Sequence, residues 1–451
     1  MGSGKWEVAA RNSQLEDGSI RSLRDAPFPA ANEISQLATR NSQLATRNSQ
    51  LATRNSNKIT ALDMKTIRFG IIGCGLMGRE FASAAARWCH LPGMTSRPEI
   101  VAVCDVNPAA FAWYCDHFAS VTQTTTDYRE LLDNQAVDAV YCALPHHLHG
   151  EVFCAILNAG KHLMGEKPFG IDKPSNDAIM ESVKAHPELL VRCSSEFPFI
   201  PAVQRIGRMI EENVFGQLIE VNAAFLHSSD LDPNKPINWK RIARYNGEYG
   251  CMGDLGMHVC HLPFRAGWVP NSVRAILTNI VPERPDGKGT MVPCETWDNA
   301  TLLCDVTQQD TGAVFPMSLK TWRIAPGEKD TWIIEILGSK ASARFSTKNP
   351  KRLEYMTYSP GGEQSWSVLD MGQETAFPGI TGGIFEFGFS DSILQMWAAF
   401  LFELEYGRPF SRFSGCATPE ETAVSHRLFT AALESHGKNI NAKLSPESDI
   451  P

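Results

Sequence analysis

The stretch IRFGIIGCGLMGREFASAAARW, residues 67–88, decides the reading of this chain. Ile67 to Ile72 form an apolar run of strand length that stops at glycines, and Leu76 to Trp88 are rich in helix-forming residues. Between them stands Gly73-Cys74-Gly75-Leu76-Met77-Gly78, a GxGxxG at a strand-to-helix turn. There the first glycine permits the tight turn and the second admits a pyrophosphate close to the backbone. The third lets the helix sit on the strand, and the phosphates face the positive helix N-terminus. This context reads as a dinucleotide site, with Gly73, Gly75, Leu76, Met77 and Gly78 as its loop.

The pattern continues outward from that loop. EIVAVCDV is a second buried strand, AVDAVYCAL a later one, and TDYRELLDN a helical link. HGEVFCAILNAG is a helix stopped by Gly160, and KHLMGEKP a further strand running into a loop. Strands alternating with helices predict a parallel, doubly wound sheet of the Rossmann kind, the α/β part of the fold. Beyond about residue 193 strands follow one another, as in GQLIEVNAAFLH, NATLLCDVT and DTWIIEILGSKASARFS. That predicts an α+β C-terminal domain with an open, mainly antiparallel sheet, and helices near Ser390–Tyr406 and Pro419–His436. The expected domains are 64–193 for NAD and 194–451 for substrate and oligomerisation. Residues 1–63 differ: SQLATRN repeats in tandem from Ser35 to Asn55, without the apolar spacing of a coiled coil. They read as a flexible, vector-like leader, with the natural start at Met64.

Asp105 ends the second strand, where an acidic residue accepts hydrogen bonds from the adenosine ribose. Val106, Asn107 and Pro108 offer no arginine to a 2′-phosphate, so NAD is expected in preference to NADP.

A net charge of −8 over 451 residues gives no reason to expect nucleic acid or an anionic membrane as partner, and no apolar run is long enough to span a bilayer. The 12 cysteines include no CxxC pair, so they read as reduced thiols of a cytoplasmic protein rather than a zinc or redox site.

For chemistry, Lys167 follows a strand of the nucleotide sheet, at the edge where open α/β sheets bind ligands. Asp254 and His258 in GDLGMH share one face if that segment is helical. An imidazole suits transfer of a hydroxyl proton at neutral pH, and an ammonium stabilises developing alkoxide.

With FGIIGCGLMG, ALPHHLHGEVFCAILNAGKHLMGEKP and INWKRIARYNGEYGCMGDLGMH in order, the chain resembles the Gfo/Idh/MocA oxidoreductases. The resemblance implies a two-domain NAD-dependent dehydrogenase of sugars or cyclitols, a homodimer or homotetramer, with Lys167, Asp254 and His258 as catalytic trio. It further implies Pro145, His149, Glu166 and Lys167 on the cofactor side, and no metal despite His146, His147 and His149. Two positions depart from the family: Pro145 is followed by His146 where relatives read Asn, and His261 stands where an Asp is usual. His261 is therefore a candidate substrate contact, with Trp239, Arg241 and Tyr245; Arg244, Trp322 and Arg323 are further candidate walls of the cleft. The alternative function is an NAD-dependent glycosidase that oxidises, eliminates, adds water and reduces again. A non-catalytic NAD-binding regulator fits poorly with an intact trio.

Overall fold

The computed structural model describes residues 64–445, so the expected leader lies outside the described residues. The first six strands are β1 (Lys65–Ile72), β2 (Ser96–Cys104), β3 (Gln123–Thr125), β4 (Ala139–Cys142), β5 (His162–Gly165) and β6 (Val191–Cys193). They form one sheet in the order β3-β2-β1-β4-β5-β6, every pair parallel. This is the doubly wound order, whose reversal between β1 and β4 opens a crevice at the carboxyl ends.

The two-residue period of β1 explains how both faces become covered. Ile67, Phe69 and Ile71 enter one apolar cluster, with Phe81 of the helix Leu76–Ala86 and Trp397 of the helix Phe389–Tyr406. Ile72 enters the other, with Phe153 of the helix His149–Asn158 and Ile179 of the helix Lys173–Ala185. The late helix Phe389–Tyr406 thus returns to the first sheet; Trp397 lies 3.7 Å from the Phe81 ring centroid and 5.3 Å from that of Phe69.

The second sheet contains β7 (Leu218–His227), β8 (Pro270–Thr278), β11 (Asn299–Thr307), β12 (Val314–Trp322), β13 (Asp330–Gly338), β14 (Ala341–Ser346), β15 (Arg352–Thr357), β16 (Ser367–Asp370) and β17 (Ala442–Lys443). A separate hairpin joins β9 (Glu283–Pro285) to β10 (Met291–Pro293). The order is β16-β15-β14-β13-β7-β12-β11-β8-β17, antiparallel except for β12 beside β7. DTWIIEILGSKASARFS is two strands, turned at Ser339-Lys340. One face of this sheet is covered by the helices Pro201–Glu211, Cys251–Arg265 and Pro419–Lys438. On the other, Ile276, Leu303 and Val314 are each more than half exposed.

The 12 cysteines are all free; nine are buried, Cys89 and Cys115 are exposed and Cys154 is intermediate. Among the described residues no helix is long and apolar enough to cross a membrane.

Candidate active site

At the end of β1, Gly73 has φ +99°, and a Cβ there would stand 2.4 Å from the Ala143 carbonyl oxygen that follows β4. Only glycine passes this turn. A Cβ on Gly78 would meet the Gly73 carbonyl at 2.3 Å and the Tyr114 hydroxyl at 2.7 Å, so the third glycine allows the helix to rest on the turn. Gly75 differs, because among the described residues no atom lies within 4 Å of its would-be Cβ and no side chain caps the helix, and Leu76 is 75% exposed. Backbone amides therefore border open space at a helix N-terminus, which fits a dinucleotide pyrophosphate.

Asp105 anchors the rim of this cradle. Its carboxylate accepts from the Cys74 N–H and the Asn107 N–H, both at 2.8 Å. A carboxylate has about four acceptor positions, so two remain for hydroxyls of a ribose.

GDLGMH does lie in a helix, Cys251–Arg265, and Asp254 is wholly buried there. Lys167 reaches it from the loop after β5, donating to the Asp254 carbonyl at 2.8 Å and carboxylate at 3.1 Å. Burial, more than any neighbouring charge, pulls the Lys167 ammonium below its ordinary range. One turn on, His258 is also buried; burial first, then the Lys167 charge, hold its imidazole well below the ordinary value. His258 is thus neutral at physiological pH and free to accept a proton.

The other expected residues divide. Trp239 stands edge-on to His146 at 4.8 Å, and Tyr245 lies 4.9 Å from His147, so both border the site. Arg241 is fully buried instead, donating to Asp298 at 2.8 Å and contacting Asp230. His261 faces Glu421, 3.6 Å away on the helix Pro419–Lys438. His149 places its ring nitrogens 2.7 Å from the Pro168 carbonyl and 2.9 Å from that of Leu144, tying together the loops after β5 and β4. Glu166 accepts from the Tyr141 hydroxyl at 2.7 Å. Pro145 opens the turn that carries His146, whose Nε2 lies 3.6 Å from Asp254.

Sequence reasoning passed over two residues. Lys240 donates to both Asp254 oxygens at 3.1 Å, and the guanidinium of Arg323, named only as a cleft wall, contacts the same carboxylate. Glu196 lies with Oε2 3.7 Å from His258 Nδ1, and burial, then Glu166, push its carboxyl up to about 8. Lys240 was within reach of inference, being flanked by Trp239 and Arg241. Glu196 carried no signal, since SSEFPF matches no motif.

Residues 67–196 match the model of the oxidoreductase family with an NAD-binding Rossmann fold, and residues 203–344 match the GFO/IDH/MocA C-terminal domain. The chain belongs to the Gfo/Idh/MocA oxidoreductase family. As in that family, it is an NAD-dependent enzyme of the dehydrogenase type. Levoglucosan dehydrogenase of Pseudarthrobacter phenanthrenivorans is 26% identical over 306 residues, 64% of this chain and 76% of the relative. Glucose-6-phosphate 3-dehydrogenase of Bacillus subtilis is 25% identical over 288 residues, 63% and 75% of the two chains. A levoglucosan dehydrogenase solved with NADH and levoglucosan superposes with a TM-score of 0.73 at 23% identity, covering 85% of this chain and 100% of that one. The shared fold is a Rossmann sheet followed by a mainly antiparallel sheet.

Proposed function

We propose that this Gfo/Idh/MocA enzyme interconverts a secondary alcohol and a ketone on a sugar, sugar derivative or cyclitol, with Lys167 and His258 handling the hydroxyl proton. The observation that carries the reading is the bonding of Lys167 to Asp254 one helical turn from His258. The hydride acceptor is supplied by bound NAD. The remaining work falls to the chain's own groups. The neutral His258 ring sits in a buried site, where it can take the hydroxyl proton as the C–O bond becomes a carbonyl, while the Lys167 ammonium hydrogen-bonds the same oxygen and stabilises its developing alkoxide character. Asp254 holds Lys167 from two atoms and fixes its direction. NAD rather than NADP fits the Asp105 carboxylate at the cradle rim. The exposed Ile276, Leu303 and Val314 suit a homo-oligomer formed on that sheet face.

The test is a screen of sugars, cyclitols and aryl glycosides with NAD, following absorbance at about 340 nm and released aglycone together. NADH formed in proportion to ketone supports the dehydrogenase. Aglycone release without net NADH replaces it with the redox-neutral glycosidase.

A further inference from the structure

We propose that the substrate carries an anionic group, a carboxylate or a phosphate, and that Lys240 and Arg323 receive it. The inference rests on the sugar-alcohol reading above and names the substrate class for that site.

Three cationic side chains converge on a single carboxylate. Lys167 and Lys240 donate to Asp254 at 3.1 Å, and Arg323 contacts the same group. Neutral sugars are held by balanced donors and acceptors and need no such excess. The surrounding charges do not remove it. Glu166, adjoining Lys167, balances one cation while its oxygen accepts from Tyr141. Asp230 and Asp298 are taken up by Arg241 and Lys235. Asp330, 3.5 Å from His227, is more than half exposed and screened by water. With its carboxyl pushed up to about 8 by burial, Glu196 is mostly protonated at neutral pH. His146 and His258 are held neutral, chiefly by burial. Burial, then the Arg323 and Lys167 charges, hold the Lys240 ammonium well below its ordinary range, so the cluster is short of counter-charge for its three basic side chains.

Arg323 is the part least explained by folding alone. It is 5% exposed and, among the described residues, its Nε is buried with no hydrogen-bond partner and its one carboxylate contact is shared with two lysines. An arginine in a folded interior ordinarily has its fork filled. The Lys240 side chain keeps 33% of its surface exposed, so the cluster opens outward rather than closing into a sealed ion pair. A planar or tetrahedral oxyanion would complete the hydrogen bonding of both.

The experiment is calorimetry on the full chain loaded with NADH, using D-glucose, D-galactose, their uronates and their 6-phosphates as probes. The uronate or 6-phosphate of one sugar is expected to bind at least about tenfold more tightly than its neutral parent. The two charged arms report which oxyanion fits. Lys240→Gln and Arg323→Gln, each checked for an unchanged melting temperature and NADH affinity, are expected to bring the ratio of charged to neutral affinity, measured on the same variant, to about one. Lys240→Gln, at a partly exposed position, keeps the test decisive if the arginine variant does not fold. Neutral sugars binding as tightly as every charged probe, or a preference surviving both substitutions, overturns the proposal. Binding is read separately from turnover, so loss of NADH formation with every probe refutes the dehydrogenase reading without touching this one.

Discussion

Lys167 donates to two atoms of one residue, the main-chain carbonyl of Asp254 at 2.8 Å and its carboxylate at 3.1 Å. A loop of the nucleotide sheet is thereby bonded directly to the helix that carries His258. Lys167→Ala is expected to lower kcat by about 10²–10⁴-fold, the usual span for a positioned proton-transfer group. NADH affinity by fluorescence titration should change little, because the glycine cradle is intact. A variant with near-normal kcat refutes the assignment.

The cradle makes two opposite predictions for neighbouring glycines. Gly73→Ala forces a side chain onto a residue with φ +99° and into the Ala143 carbonyl, and should destabilise the fold by about 1–3 kcal/mol. Gly75→Val points into open space, so its melting temperature should hold while NAD affinity falls at least about tenfold. Equal melting losses in both would show that Gly75 serves folding alone.

Arg241 joins Asp230 and Asp298 in an ion triad closed to solvent. Arg241→Met leaves two carboxylates buried without their shared partner, a loss on the order of 3–5 kcal/mol. Denaturant melts measure it. A stable variant with altered substrate KM would return Arg241 to the role of a binding residue.

Glu196 predicts a pH effect of definite sign. Its carboxyl is raised to about 8 in the folded chain, from an ordinary value near 4.5, first by burial. Between those values the native state holds a proton that the unfolded chain has released, so stability falls as pH rises, by about 1.4 kcal/mol per unit, and levels off above about 8. Glu196→Gln removes that slope. The unfolded histidines titrate alike in both chains and cancel, so the wild-type minus variant difference isolates this group. A difference flat between pH 6.5 and 8 would mean that Glu196 is already ionised in the native enzyme.

The strand-to-helix glycine turn was legible because every local signal agreed: an apolar run, three spaced glycines, then helix formers. The i, i+4 relation of Asp254 and His258 was legible for the same reason, since period alone places them on one face. Three-residue strands such as β3 and β6 were not, because a run that short has no period and is held by its neighbours in the sheet. His261 and Arg241 show the limit on site residues. Both have the chemistry of a substrate contact, yet Glu421 and Asp298 claim them from segments far away in the chain, and Asp230 joins in from the loop after β7. Arg323 and Glu196 reach the site only through tertiary packing, which adjacent residues do not encode.

The return of the helix Phe389–Tyr406 to the first sheet bears on how the enzyme is made. Its Trp397 closes over Phe69, Phe81 and Tyr141, the same apolar layer that supports the glycine turn. A ribosome that has released the first two hundred residues has therefore built a nucleotide sheet with one flank still wet. Completion waits for the helix Phe389–Tyr406, so premature termination before Phe389 yields a sticky fragment rather than a working cofactor module.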